Sequence, residues 1–158
     1  CALDFVAGAV QSLNESARTA GRADLPGVVQ YMPCFACKDA DEARRSAKRA
    51  VGEMLPAYWA LGERLPAARK ALLLGSHIAE AEFAGAVARL KSGEAAEVVL
   101  DDRYVSAFAL AGTAEDCRVQ AAAFAEIGVS ELALTISGPS FAADMEYIGK
   151  VFARQSHS

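Results

Sequence analysis

The stretch Ala111 to Ser140, AGTAEDCRVQAAAFAEIGVSELALTISGPS, constrains the fold most. It holds a helix start, one amphipathic helix, a helix stop, an apolar strand and a loop in unbroken order. Thr113 is placed to cap the N–H groups of the turn that follows, and Glu115 and Asp116 put negative charge at the helix's positive end. Cys117, Ala121, Phe124 and Gly128 recur at helical spacing, with Arg118, Gln120 and Glu126 turned away. Gly128 stands where a left-handed C-cap is wanted. From Leu132 to Ile136 the residues are apolar or β-branched without polar alternation, as expected of a strand covered on both faces. Helix, strand and helix in this order make one step of a parallel α/β sheet, and the rest of the chain reads as further steps of the same kind.

The size of the chain limits how many such steps it holds. Its 158 residues amount to one domain, able to bury roughly 70 per cent of its unfolded surface. A hydrophobic content of 53%, rich in alanine, excludes a disordered chain and favours closely packed helices. Sixteen Lys and Arg against 20 Asp and Glu give a net charge of −4, which argues against nucleic-acid binding. No run approaches the ~18 apolar residues of a membrane span, and no secretory leader is visible. The first residue is Cys1 rather than Met, so a truncated, processed or incomplete N-terminus is expected. Four cysteines (Cys1, Cys34, Cys37, Cys117) in a chain of this length do not make a secreted framework, and a cytoplasmic location is expected.

In chain order, Val6, Val10, Leu13 and Ala17 mark one face of a first helix, which Gly21 stops. Val28 to Ala36 follows as a strand candidate. Pro33 lacks an N–H, so it is expected at an edge, a bulge or the strand's end. Asp39 or Asp41 caps the next helix, whose expected buried face is Ala43, Ala47, Ala50 and Met54. Arg44, Arg45, Lys48 and Arg49 lie on its other side. They could meet phosphates, but a solvated face is the expected reading. Pro56 is expected to end or kink this helix near Leu55. Between Tyr58 and Leu110 no strand is convincing. Pro66 opens a short helix that Gly75 closes, and Ser76 caps another carrying Phe83, Val87 and Leu90, closed by Gly93. Asp101 caps a third through Tyr104, Val105 and Phe108, up to Gly112. Residues 58–110 thus form a helical excursion between two αβ steps. The final helix shows Phe141, Met145, Ile148 and Phe152 at i, i+4, i+7 and i+11. The tail from Gln155 to Ser158 is expected to fray.

The segments NESARTAGRADLPGVVQYMPCFACKDADEARRSAKRAV and ALAGTAEDCRVQAAAFAEIGVSELALTI, in this order and spacing, resemble the C-terminal part of the luciferase-like monooxygenase superfamily. In that family a helix ending in Ala-Gly-Arg precedes a strand and then a helix opened by Asp-x-Asp-Glu-Ala-Arg. A Gly-Thr or Gly-Asp helix start, a Gly-Val or Gly-Ala stop and the last barrel strand close the pattern. The family usually has Pro where this chain has Ala114, a tolerable change at the first helical position.

The resemblance implies an α/β fold, the C-terminal part of a (β/α)8 TIM barrel, mostly helical. About two parallel strands would belong to this chain, roughly Val28 to Ala36 and Glu131 to Ile136. Residues 1–158 would be a single segment of the barrel domain, with the excursion at 58–110 within it. The resemblance further implies FMN or a deazaflavin as cofactor, or no cofactor bound by this chain alone, and oxidation or hydride transfer on a small-molecule substrate. The expected partner is a second copy in a homo-oligomer or the missing N-terminal half of the barrel. Most family catalytic residues lie on earlier strands, so none is assigned.

The barrel rule gives an address for function, the C-terminal ends of the strands. There lie Cys37 to Asp39 and Ser137 to Ser140. Ser137, Gly138 and Ser140 are candidates to hold an anionic group of the cofactor with backbone N–H groups and hydroxyls, although a plain strand-to-helix turn explains them too. Cys37, Lys38, Tyr58 and Trp59 are candidates for the substrate side, with packing beneath the excursion as the plainer account of Tyr58-Trp59. Cys34 and Cys37 have the spacing of a thiol redox pair. The first is not at a helix start, however, and strand geometry turns the two to opposite faces. His77 reads as a helix-start residue rather than a base. His77 and His157 are isolated, so no metal site is expected. Two alternatives to an oxidoreductase remain. One is a non-catalytic, mostly helical oligomerising module, and the other is a thiol redox protein using Cys34 and Cys37.

Overall fold

The computed structural model describes residues 2–136 and 141–152. Its elements are α1 (Leu3–Thr19), β1 (Val29–Ala36), α2 (Ala40–Arg64), α3 (Pro66–Leu73), α4 (Glu80–Lys91), α5 (Ala96–Val99), α6 (Asp102–Phe108), β2 (Leu110–Gly112), α7 (Ala114–Glu126), β3 (Glu131–Thr135) and α8 (Phe141–Phe152). The three strands form one parallel sheet in the order β2-β1-β3. β1 pairs residues Val29 to Pro33 with β3 and Cys34 to Ala36 with β2.

Local signals place most of these elements. Asp39 caps α2 by accepting the N–H groups of Asp41 (2.9 Å) and Glu42 (3.1 Å). Asp101 caps α6 through the N–H of Arg103 at 2.9 Å. Gly128, at φ +94°, ends α7. The Gly128 N–H there donates to Ala125 at 3.0 Å and the Val129 N–H to Phe124 at 3.1 Å, which satisfies the last carbonyls of the helix.

The structure departs from these expectations at six points. The sheet has three strands, not two. β2 is only three residues long and its apolar run continues from α6, so helix and strand share one pattern. Pro33 lies in the central strand, at the handover where pairing with β3 ends and pairing with β2 begins. β3 is half-buried rather than covered on both faces, because it forms an edge of this sheet. Pro56 does not end α2, which runs on to Arg64. The buried face of that helix passes through Ala43, Ala47, Val51, Leu55 and Trp59, leaving Ala50 and Met54 only half-buried. Finally, α4 starts at Glu80. Ser76 is instead buried in the preceding turn, where its hydroxyl donates to the Leu73 carbonyl at 2.9 Å, and His77 occupies a left-handed turn position at φ +56°.

Two hydrophobic clusters hold the fold. One unites Val6 and Val10 of α1, Met32, Cys34 and Ala36 of β1, and Cys117 and Phe124 of α7, with Ile148 of α8. The other is the core of the excursion and packs against Phe35 and Ala111. Around Phe83 stand Trp59, stacked at 5.2 Å, Tyr104 at 5.6 Å and Phe108 at 6.1 Å. Side chains alternate across β1, so Met32 and Cys34 meet helices on one face while Val29 and Tyr31 point to the other. That second face is bare along the N-terminal half of β1. Val29 is 49% exposed and Tyr31, in the middle of the central strand, 72%.

Candidate functional site

The C-terminal ends of β1 and β2 lie side by side, joined where the Cys37 N–H donates to the Gly112 carbonyl at 3.2 Å. Each strand turns there into a capped helix, α2 after β1 and α7 after β2. At the second start the Thr113 hydroxyl accepts the Asp116 N–H at 3.2 Å, and the Asp116 carboxylate accepts the Thr113 N–H at 2.8 Å. The backbone bond first, and then the Thr113 hydroxyl donating to the same carboxylate at 2.8 Å, hold the Asp116 carboxyl below the usual range.

Between the two helix starts and α6 lies a polar cleft of about 250 Å³, lined by Arg44, Asp102, Ser106, Asp116 and Gln120. Its charges are spent on the chain itself. Lys48 reaches Asp102 at 2.8 Å and Arg44 reaches Asp41 at 3.0 Å. The Gln120 amide clamps the Ala111 backbone, donating to its carbonyl at 3.0 Å and accepting its N–H at 3.3 Å. A further pair, Arg49 with Glu97 at 2.7 Å, leaves the basic face of α2 tying the excursion down rather than wholly solvated.

The substrate-side candidates fall apart in space. Cys37 is half-buried and its thiol donates to the Asp39 carbonyl at 2.9 Å, while Lys38 beside it is exposed. Trp59 is buried in the excursion core, with the Arg69 guanidinium 4.8 Å from its ring centre, whereas Tyr58 is exposed. Ser137, Gly138 and Ser140 lie outside the described residues. Cys34 is buried and shares its cluster with Cys117 rather than with Cys37. The Cys117 thiol donates to the Phe35 carbonyl at 3.9 Å, and the neighbouring Cys34 together with burial pushes the Cys117 thiol up. Among the described residues no group of three or more His, Cys, Asp or Glu is placed to hold a metal ion. No helix among them is long and apolar enough to cross a membrane.

Parallel strands, helices packed on one face and a helical excursion at the strand ends describe part of a (β/α)8 barrel. Residues 2–131 match the family described as luciferase-like monooxygenase. The chain belongs to that family. Its fold is also similar to that of a solved structure, the coenzyme F420-dependent tetrahydromethanopterin reductase from Methanopyrus kandleri, with a TM-score of 0.73 at 22% identity. That match covers 94% of this chain and 41% of the reductase chain, so the luciferase-like segment here spans less than half of that protein's length. No curated protein matches the chain.

Sequence reasoning missed the third luciferase-like strand and with it the polar cleft beside it. The signal was present in Gly112, the glycine of the Gly-Thr helix start. Its φ of +139° and the closeness of Asp116, 2.6 Å from where a Cβ would lie, mark a strand end turning sharply into a helix.

Proposed function

We propose that this chain supplies strands and mouth-side helices to a flavin- or deazaflavin-dependent oxidoreductase, and that further barrel strands are needed to complete the cofactor site. The observation that carries the reading is the bare face of β1. Helices cover Met32 and Cys34 on one side, while Val29 and Tyr31 stand open on the side that is the interior of a closed barrel. The family membership and the fold of the F420-dependent reductase support the cofactor class.

Bound in such a barrel, a flavin or deazaflavin supplies hydride transfer at its ring. The described residues do not fit that group by themselves. At the strand ends, Cys37, Asp39, Thr113 and Asp116 are engaged in the chain's own helix starts, and Lys38 is the exposed charge. Within this reading Ser137, Gly138 and Ser140 hold an anionic group of the cofactor at the last helix start. Cys37 and Lys38 face a small-molecule substrate. A cytoplasmic site of action belongs to the same reading, supported by free thiols at Cys34, Cys37 and Cys117.

Titration with FMN and with coenzyme F420 tests the proposal. The chain alone is expected to bind neither tightly, and the chain joined to the first strands of a luciferase-like barrel is expected to bind one of them stoichiometrically. Tight binding by the chain alone would refute the need for further strands. Failure of the completed barrel to bind either would refute the oxidoreductase reading.

A further inference from the structure

The outer edge of β2 is closed by side chains rather than by a strand. β2 ends the described sheet, with β1 as its one neighbour. Gly112 turns its carbonyl to β1, where the Cys37 N–H donates to it at 3.2 Å, so Ala111 beside it turns both of its backbone groups outward. Ala111 is buried, and an unmet backbone pair there would destabilise the fold. The Gln120 amide meets both groups, donating to the carbonyl at 3.0 Å and accepting the N–H at 3.3 Å. A primary amide carries a donor and an acceptor side by side, the pair that a neighbouring strand would offer. The outward N–H groups on either side are taken as well. That of Ala109 donates to the Val105 carbonyl at 2.8 Å, and that of Thr113 to the Asp116 carboxylate at 2.8 Å. Unpaired edge donors recruit further strands, and from Ala109 to Thr113 none is left open.

The same side of β1 differs farther back. Val29 to Pro33 pair with β3 alone, and β2 begins only opposite Cys34. In line with β2, beside Val29 to Met32, the described sheet therefore has a notch one strand wide. The Cys37 N–H faces β2, and alternate residues back along the strand face the same way, so Val29 and Tyr31 turn their backbone groups into the notch. Pro33 is the next of that series. Its missing N–H falls where a strand in the notch has run out and β2 has not begun. The Tyr31 carbonyl accepts the Gln30 side-chain amide at 2.8 Å, an exposed bond that an incoming strand can displace.

We infer that Gln120 stands in for a strand: its amide closes the outer edge of β2 and leaves the notch beside Val29 to Met32 as the place on that side of β1 where a further strand joins. The closure concerns this chain's own residues and stands whether or not the oxidoreductase reading holds. That the joining strand is one of the further barrel strands rests on that reading.

Residue-resolved amide hydrogen exchange tests both parts. In the chain the Ala111 N–H is expected to be protected. Gln120→Met keeps a long, helix-forming side chain without the amide, and is expected to raise the Ala111 exchange rate roughly tenfold or more while the Thr113 N–H stays unchanged. Val119→Met, at the neighbouring exposed position of α7, is expected to alter neither. Should Gln120→Met not fold, the Gln120 side-chain amide protons of the unaltered chain give a second reading. They are expected to exchange more slowly than those of the exposed Gln11. A freely exchanging Ala111 N–H, one indifferent to Gln120→Met, or a Gln120 amide as fast as that of Gln11 would overturn the closure. In the chain joined to the first strands of a luciferase-like barrel, new protection is expected at Val29 and Tyr31, with Ala111 still sensitive to Gln120→Met. No new protection at Val29 and Tyr31 would overturn the notch. An Ala111 protected there despite Gln120→Met would place a strand on β2 and overturn the closure. Each result is read without cofactor, so it is separate from the outcome of the flavin titration.

Discussion

The Asp116 carboxylate accepts the Thr113 N–H at 2.8 Å while the Thr113 hydroxyl accepts the Asp116 N–H at 3.2 Å, so each residue satisfies the other's free donor at the start of α7. Thr113→Ala removes one half of this exchange and is expected to cost about 1 kcal/mol of stability in urea unfolding. The pH dependence follows from the same bonds. Asp116 has a folded pKa below its unfolded value of about 3.9. Its contribution is therefore present above about pH 4 and is lost as pH falls through the lower, folded pKa. Thr113→Ala keeps the backbone N–H at position 113, the larger cause, and removes the hydroxyl's bond to the carboxylate, so it should flatten that acid limb in part. An unchanged acid limb would mean that the hydroxyl contributes nothing to it.

Gly112 precedes the box at φ +139°, and a Cβ there would lie 2.6 Å from the Asp116 carboxylate and 2.7 Å from its Cβ. Gly112→Ala is thus expected to strain the backbone and displace the cap together, costing about 1–3 kcal/mol. Gly8 in α1 and Gly85 in α4 have ordinary backbone and nothing within 4 Å of an added Cβ. Alanine at either should stabilise by roughly 0.5–1 kcal/mol through helix propensity. Thermal unfolding of the three variants checks both signs.

The excursion core offers a built-in reporter. Trp59, the chain's single tryptophan, stacks on Phe83, which is fully buried and touches Tyr104 and Phe108 as well. Phe83→Ala is expected to cost about 3–5 kcal/mol and to shift the Trp59 emission to the red as water reaches the cavity. An unshifted emission would mean that the aromatic cluster closes over the gap.

Most local signals proved readable, Ser76 aside, and shared patterns did not. The Thr113, Asp39 and Asp101 caps and the Gly128 stop each depend on a few neighbouring residues, and all four are in place. The parallel pairing of the strands from Val29 and Glu131 followed from apolar runs flanked by those caps. β2 was hidden because Leu110 and Ala111 continue the apolar run of α6. The true buried face of α2 was hidden because the helix is apolar on two stripes, and only tertiary packing chooses Val51, Leu55 and Trp59 over Met54, Tyr58 and Leu61. The site was the least legible. Tyr58 and Trp59 are neighbours in sequence, yet about 100° of helix turn sends one to the surface and the other to the core. The polar cleft joins residues of α2, α6 and α7 that no local spacing relates.

Tyr104 buries a hydroxyl that has no hydrogen-bond partner among the described residues. Burial, with Glu82 and Asp101 nearby, pushes its pKa up to about 12. Its folded pKa lies above the usual value of about 10, so stability should fall as pH rises from about 10 through 12. An absorbance titration should show one of the chain's four tyrosines lagging. Tyr104→Phe removes the unsatisfied group without opening a cavity, so it should be neutral or stabilising by up to about 1 kcal/mol. A clear loss of stability would mean that a water or another chain satisfies the hydroxyl in solution.

The thiols separate the redox alternative from the barrel reading. Cys37 is half-buried at the end of β1, whereas Cys34 and Cys117 are sealed in the cluster beneath α7. Nucleophilic attack needs both a thiolate and access. Cys117 has neither, since the neighbouring Cys34 and burial hold the proton on. Cys34 is buried and closed to reagents. Iodoacetamide followed by peptide mass spectrometry should therefore label Cys37 in the native protein. Cys34 and Cys117 should be labelled only at the rate of unfolding. Rapid labelling of Cys34 in the native protein near pH 6 would instead reveal an accessible thiolate and restore the thiol redox reading.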